Sequence, residues 1–266
     1  MKLLLTFFLT LLTFNTFATT DSLFKSVTIG GYYSQGNINS SSFELSSELS
    51  RYNTKHNWTI MPTFRYIIYN ISPSNSSVCE QNEFYSVQNY TFNSNNNLKM
   101  LFFSEVEHSL NKKIDLRTSL GFGASYKLKT KSLPFEITIS EVLLPDYFKR
   151  SQIKSTSIQA ENVSFRSSTR IKFLYKINEN ITFVSVNMIQ PALYTKSLDN
   201  NSTISTKDNT IFRSSNQLDF LIKKGLSIGF SLDYVNESYL QYLIDNQGVV
   251  LSPSDLNFSF YLKFKK

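Results

Sequence analysis

From Ser42 onward the chain alternates with a period of two. Phe43, Leu45, Ser47 and Leu49 fall on one side, and Ser42, Glu44, Ser46, Glu48 and Ser50 on the other. The last stretch does the same, with Leu256, Phe258, Phe260, Leu262 and Phe264 against Asn257, Ser259, Tyr261, Lys263 and Lys265. Leu226 to Tyr234 and Ile114 to Lys127 repeat the pattern. Period two belongs to strands whose faces meet different surroundings. Read this way, the chain holds twelve strands, at about 26–35, 40–51, 57–69, 83–93, 98–109, 114–128, 134–143, 162–177, 181–194, 209–222, 226–236 and 255–265.

Turn chemistry joins them into hairpins. Lys223-Lys224-Gly225 reads as a three-residue loop with Gly in the left-handed position. It would pair Ile222 with Leu226, Phe220 with Ile228 and Leu218 with Phe230. Asn37-Ile38-Asn39 as a similar loop would pair Tyr33 with Phe43 and Gly31 with Leu45. Pro62 lies inside the third strand, where its missing N–H suggests a bulge. The even-numbered connections are short. Four odd-numbered ones are long and polar, at 71–82, about 144–161, 195–208 and 237–254. Short turns at one end and long loops at the other are the asymmetry of bacterial outer-membrane barrels.

Alternation alone does not say what each face touches. The polar faces are too charged for a dry core: in the eighth strand Arg166, Ser168, Arg170, Lys172 and Lys176 share one side. Burying four cations without water would be very costly. A hydrated lumen facing carboxylates accepts them. In the second, sixth, eleventh and twelfth strands the apolar faces run for about nine to eleven residues, enough for a tilted strand to cross a bilayer. The expected fold is therefore an all-β transmembrane antiparallel barrel of about twelve strands.

Composition sharpens this picture. Phe (23) and Tyr (15) are abundant and charged residues are sparse at 18%, which favours strands with polar turns. MKLLLTFFLTLLTFNTFATT opens with Lys2, an apolar run from Leu3 to Leu12, and a small-x-small site at Thr16-Phe17-Ala18. Residues 1–18 are expected to be a cleaved signal peptide and 19–266 one outer-membrane barrel domain. The formal charge is +7, but the basic residues are spread through turns and alternate strand positions, so no nucleic-acid partner is expected. Cys79 is the only cysteine, which rules out an internal disulfide. Ile71 to Asn82 reads as an exposed external loop that carries it.

The stretch GYYSQGNINSSSFELSSELSRYNTKHNWTIMPTFRY resembles the opening of the salt-induced outer-membrane protein family, a family of unknown function. IDLRTSLGFGASYKL, with Gly121 and Gly123, resembles that family's central glycine-bearing strand. The resemblance spans essentially the mature chain. It implies an outer-membrane barrel and supplies no catalytic residues.

The chemistry on offer is that of a lined passage. Glu44, Glu48, Arg65, Glu105, Glu107, Arg117, Arg166, Arg170, Lys172, Arg213 and Asp219 are the candidate lumen residues. Mixed signs could line a narrow pore or pair across and plug it. Arg117 is expected opposite Glu107 or Glu105. No catalytic, cofactor-binding or metal residue is expected, and the chain reads as a non-enzyme with no cofactor. Its expected partners are outer-membrane lipid and, during insertion, the barrel-assembly machinery, around a monomer. Two other readings stand beside this one. A soluble periplasmic lipid-binding barrel would explain export and alternation. An outer-membrane lipase would need a His–Ser pair in hydrogen-bond reach, whereas His108 and Ser109 point to opposite faces.

Overall fold

The computed structural model describes residues 22–35, 40–53, 55–70, 78–92, 97–109, 114–129, 134–150, 161–197, 209–238 and 254–265. Twelve strands make up nearly all of it: β1 (Ser22–Gln35), β2 (Ser40–Tyr52), β3 (His56–Asn70), β4 (Val78–Phe92), β5 (Leu98–Ser109), β6 (Ile114–Lys129), β7 (Phe135–Arg150), β8 (Glu161–Lys176), β9 (Ile181–Ser197), β10 (Thr210–Lys223), β11 (Leu226–Glu237) and β12 (Ser254–Lys265). Each is antiparallel to its sequence neighbours, and β1 pairs with β12, so the sheet closes into a barrel with no free edge.

The two faces sort by polarity in the unusual sense. Large apolar side chains point outward and stay exposed, among them Leu120 (64% exposed), Phe258 (51%) and Phe43 (50%). The inward side chains include buried charges and hydroxyls such as Arg117, Asp146, Glu105 and Ser50. Aromatic rings gather where β3, β4 and β7 to β9 approach their short connections. His56 packs against Tyr90 and Phe92, and Phe173 against Phe135, Tyr175 and Phe183. A ring band at a strand end is the girdle position of membrane barrels.

Local sequence chemistry accounts for most of the register. Gly225 takes a φ of +85°, the left-handed value that the β10–β11 turn demands. Phe220 stands opposite Ile228 and Leu218 opposite Phe230, as the pattern predicts. Leu226, however, pairs with Lys223 and not Ile222, because a bulge between Leu221 and Lys223 absorbs one residue. In the first hairpin Gly31 pairs with Phe43 and Ile29 with Leu45, a slide of two residues from the expected register. An even slide keeps every side chain on its face, so the hydrophobic pattern cannot resist it. Pro62 causes no register shift: Ser46 faces Thr63 and Leu49 faces Ile60 across β2 and β3.

Two strands run further than the alternation shows. β4 begins at Val78, so Cys79 lies in a strand opposite Tyr69 and not in an exposed loop. β7 continues to Arg150, with Pro145 opposite Phe165 on β8. Leu144-Pro145-Asp146 reads locally as a strand end, but pairing of all three with β8, and of Asp146 with Ser119 on β6, overrides that preference. The signal-peptide segment 1–18 lies outside the described residues.

Candidate functional site

Because side chains alternate, each strand delivers every second residue to the lumen. On β2, β3 and β4 this brings Glu44, Arg65 and Glu83 into one row. Arg65 Nη2 lies 2.8 Å from Glu44 Oε2, and Arg65 Nη1 lies 3.1 Å from Glu83 Oε2. The Ser109 hydroxyl of β5 donates to the other Glu83 oxygen at 2.5 Å. One arginine is thus shared by two carboxylates from the strands on either side of its own, which fixes its direction.

A second and more buried cluster sits closer to the long connections. Asp146 of β7 accepts from Arg117 Nε of β6 at 3.1 Å and from Arg166 Nε of β8 at 2.9 Å. Ser119 adds a hydroxyl at 2.7 Å. The Asp146 side chain is only 1% exposed. Arg166 also donates to the carbonyl and side chain of Asn209 at 2.9 and 2.6 Å. Arg117 stands directly opposite Glu107 in the β5–β6 ladder, with Nη1 3.8 Å from its carboxylate.

From this cluster, contacts leave the wall and cross the lumen. Arg213 of β10 reaches Glu105 of β5 at 3.2 Å, Glu107 at 3.8 Å and the Tyr85 hydroxyl of β4 at 3.5 Å. Arg117 of β6 reaches Glu237 of β11 at 3.7 Å. In the closed order β10 and β5 lie on opposite sides of the barrel, as do β6 and β11. These pairs therefore form a charged bridge across its width. Cations and anions alternate along it, which offsets the desolvation each charge suffers.

The lumen holds a cavity of about 710 Å³ that runs from the level of Tyr52, Asn57, Thr91 and Lys263, beside the short connections, to the level of Glu44 and Arg65. Its lining is mostly Ser, Thr, Asn and charged side chains. Glu44 and Glu48 on β2 lie across from Arg170 and Lys172 on β8. Asp219, further along β10, accepts a hydrogen bond from the Tyr261 hydroxyl at 2.8 Å.

The sequence-derived residues therefore divide. Glu105, Glu107, Arg117, Arg166 and Arg213 meet in the bridge. Glu44, Glu48, Arg65, Arg170 and Lys172 line the cavity, and Asp219 braces a tyrosine of its wall. Alternation missed four further members: Asp146, Glu83, Tyr85 and Glu237. Asp146 lay in a segment read as loop. Extending the inward series Ser140, Val142 and Leu144 by two residues would have reached it. Elsewhere, His108 Nδ1 lies 2.8 Å from the backbone carbonyl of Asp115, while Ser109 binds Glu83 inside the lumen. The two are not a nucleophile–base pair.

The chain belongs to the family described as "Protein of unknown function, DUF481", whose model matches residues 27–238. Among solved structures it is similar to the NanC porin, with 13% identity and a TM-score of 0.53, covering 90% of this chain and 98% of that one. It is also similar to an outer membrane channel from Pseudomonas putida F1, at 9% identity and a TM-score of 0.50, covering 94% and 97%. At these identities the likeness is one of fold. No curated protein matches the chain in sequence.

Proposed function

We propose that this member of an uncharacterised family is an integral barrel of the bacterial outer membrane and provides a narrow passive route for small polar solutes. Residues 1–18 would be removed on export, and residues 19–266 would insert with the help of the barrel-assembly machinery. The long connections would face outward from the cell, because β1 starts and β12 ends at the short-turn side. The observation that carries this reading is the pairing of an apolar exterior with a hydrophilic cavity of about 710 Å³ whose lining contains none of the bridge residues. Lipid can solvate the first and only water the second. The bridge crosses the lumen and would set what passes.

A soluble lipid-binding barrel needs the reverse arrangement, an apolar lumen inside a polar shell, and the distribution of faces argues against it. A lipase reading loses its support with the separation of His108 and Ser109. The second reading worth keeping is a structural barrel whose bridge stays shut, since Arg213 and Arg117 both span the lumen. Single-channel recording in a planar bilayer separates the two. Wild-type protein should give small discrete steps, and Arg213→Ser should enlarge them. Silence from both proteins would leave only the structural role.

A further inference from the structure

A polar row that carries one carboxyl group, that of Glu141, interrupts the apolar exterior over β7 to β10. On β7, Glu141 points outward between Ile139 (41% exposed) and Leu143 (48%). Ser167 on β8 donates to one oxygen of its carboxyl group, and Thr169 to the other at 2.5 Å. The row continues on β9 and β10. Ser214 donates to Asn187 Oδ1 at 2.9 Å, the Asn187 amide donates to Ser185 at 3.1 Å, and the Asn216 amide to Ser214 at 3.3 Å. Each of these side chains has apolar neighbours above and below it on the same face: Phe165 and Ile171 on β8, Phe183 and Ile189 on β9, Phe212 and Leu218 on β10. The polar row therefore crosses the middle of the apolar band and does not belong to either rim. Hydrocarbon offers such groups no partner, and ionisable side chains at this depth mark functional contacts.

We propose that this row is the seam by which a second copy of the chain docks in the membrane. The inference rests on the membrane reading above. The occupant follows from how hydrogen-bonding character is distributed along the row. Its β7 end is an acceptor, the Glu141 carboxyl group. Its β10 end carries a donor, the second N–H of the Asn216 amide, whose first goes to Ser214. Two copies in one membrane share an orientation, so their twofold axis runs along the membrane normal. An axis passing between β8 and β9 sets β7 of each copy against β10 of the other. Glu141 then meets the Asn216 amide of the second copy, and the interface is self-complementary, as a twofold contact must be. Close to the axis the small Ser167, Thr169 and Ser185 let the two curved walls approach. The seam replaces the monomer that the sequence alone suggests.

Cross-linking in lipid tests this. Full-length chains carrying Cys79→Ser and one new cysteine, Asn187→Cys or Phe258→Cys, are folded into vesicles at high lipid-to-protein ratio and treated with a short bis-maleimide. Asn187→Cys should give a dimer band and Phe258→Cys, on the far side of the barrel, should not. Adding Glu141→Leu should reduce the dimer yield at least tenfold while the heat-dependent gel shift of the folded barrel persists. Equal yields from the two cysteine positions would overturn the proposal. So would a dimer that survives Glu141→Leu, or linkage of Asn187→Cys to a cysteine at Gln88 in place of itself. Failure to enter vesicles at all would instead overturn the membrane reading, and carbonate extraction reports that separately.

Discussion

Replacing Asp146 by alanine should be among the most damaging single changes in the barrel. Its carboxylate is the shared anion of two guanidinium groups, at 3.1 Å from Arg117 Nε and 2.9 Å from Arg166 Nε, with side-chain exposures of 1%, 3% and 5%. After the change Arg117 keeps Glu107 and Glu237, both beyond 3.6 Å. Arg166 keeps only neutral acceptors, the carbonyls of Gln190 and Asn209 and the Asn209 side chain. Removing one partner of a buried ion pair costs about 3–5 kcal/mol, because the other charge stays desolvated. Here the lumen can admit water, so we expect a loss of about 3 kcal/mol. Asp146→Asn retains one acceptor oxygen and should recover about 1 kcal/mol of it. Combining Asp146→Ala with Arg166→Met should cost less than the sum of the two, with a coupling of at least about 0.5 kcal/mol. Urea unfolding from vesicles, followed by the emission of the sole tryptophan, Trp58, measures all three. A loss under about 1 kcal/mol for Asp146→Ala, or strict additivity in the double variant, would mean that the cluster is a hydrated patch and not a buried bridge.

Other outcomes follow from the same geometry. Phe258→Arg places a charge on the outer face and should cost about 2–4 kcal/mol, whereas Ser231→Arg in the lumen should be tolerated better; heat-modifiable gel migration reads both. Gly123→Ala should destabilise the β6–β7 pair by about 1–3 kcal/mol, since a Cβ there would sit 1.9 Å from the Glu141 carbonyl oxygen; the urea midpoint checks it. Arg213→Ser should raise single-channel conductance more than Arg65→Ser does, because Arg213 spans the lumen while Arg65 binds neighbours on its own wall.

Much of the architecture was legible in the chain because a lipid-facing strand advertises itself. All twelve strands are legible, most clearly β2, β11 and β12, where apolar residues such as Phe43, Phe230 and Phe258 alternate with Ser, Glu or Asn, and least clearly β4 and β7. Strand order followed from the succession of hairpins, and closure from the reading of the sheet as a membrane barrel. Register was less legible. The first hairpin slid by two residues without exposing anything, because the face pattern has period two and is blind to even shifts. Strand length was least legible where turn-forming residues continue a ladder. Leu144-Pro145-Asp146 and Val78-Cys79-Glu80 look like loop, and only pairing to β8 and β3 keeps them extended. That blind spot hid Asp146, and with it the centre of the charged bridge. The arginines around it were visible as inward positions, but which carboxylate each would meet depends on three-dimensional closure. The contact between Arg213 and Glu105, 108 residues apart, has no local signature.

Spin labels placed at successive positions from Leu256 to Phe264, in protein folded into vesicles, test the assignment of faces on which everything above depends. Collision with oxygen, which concentrates in hydrocarbon, should peak at 256, 258, 260, 262 and 264. Collision with a water-soluble nickel complex should peak at 257, 259 and 263. The two profiles should oscillate with period two and opposite phase. An inverted phase, or nickel access at every position of the strand, would contradict an outer face in lipid and an inner face in water.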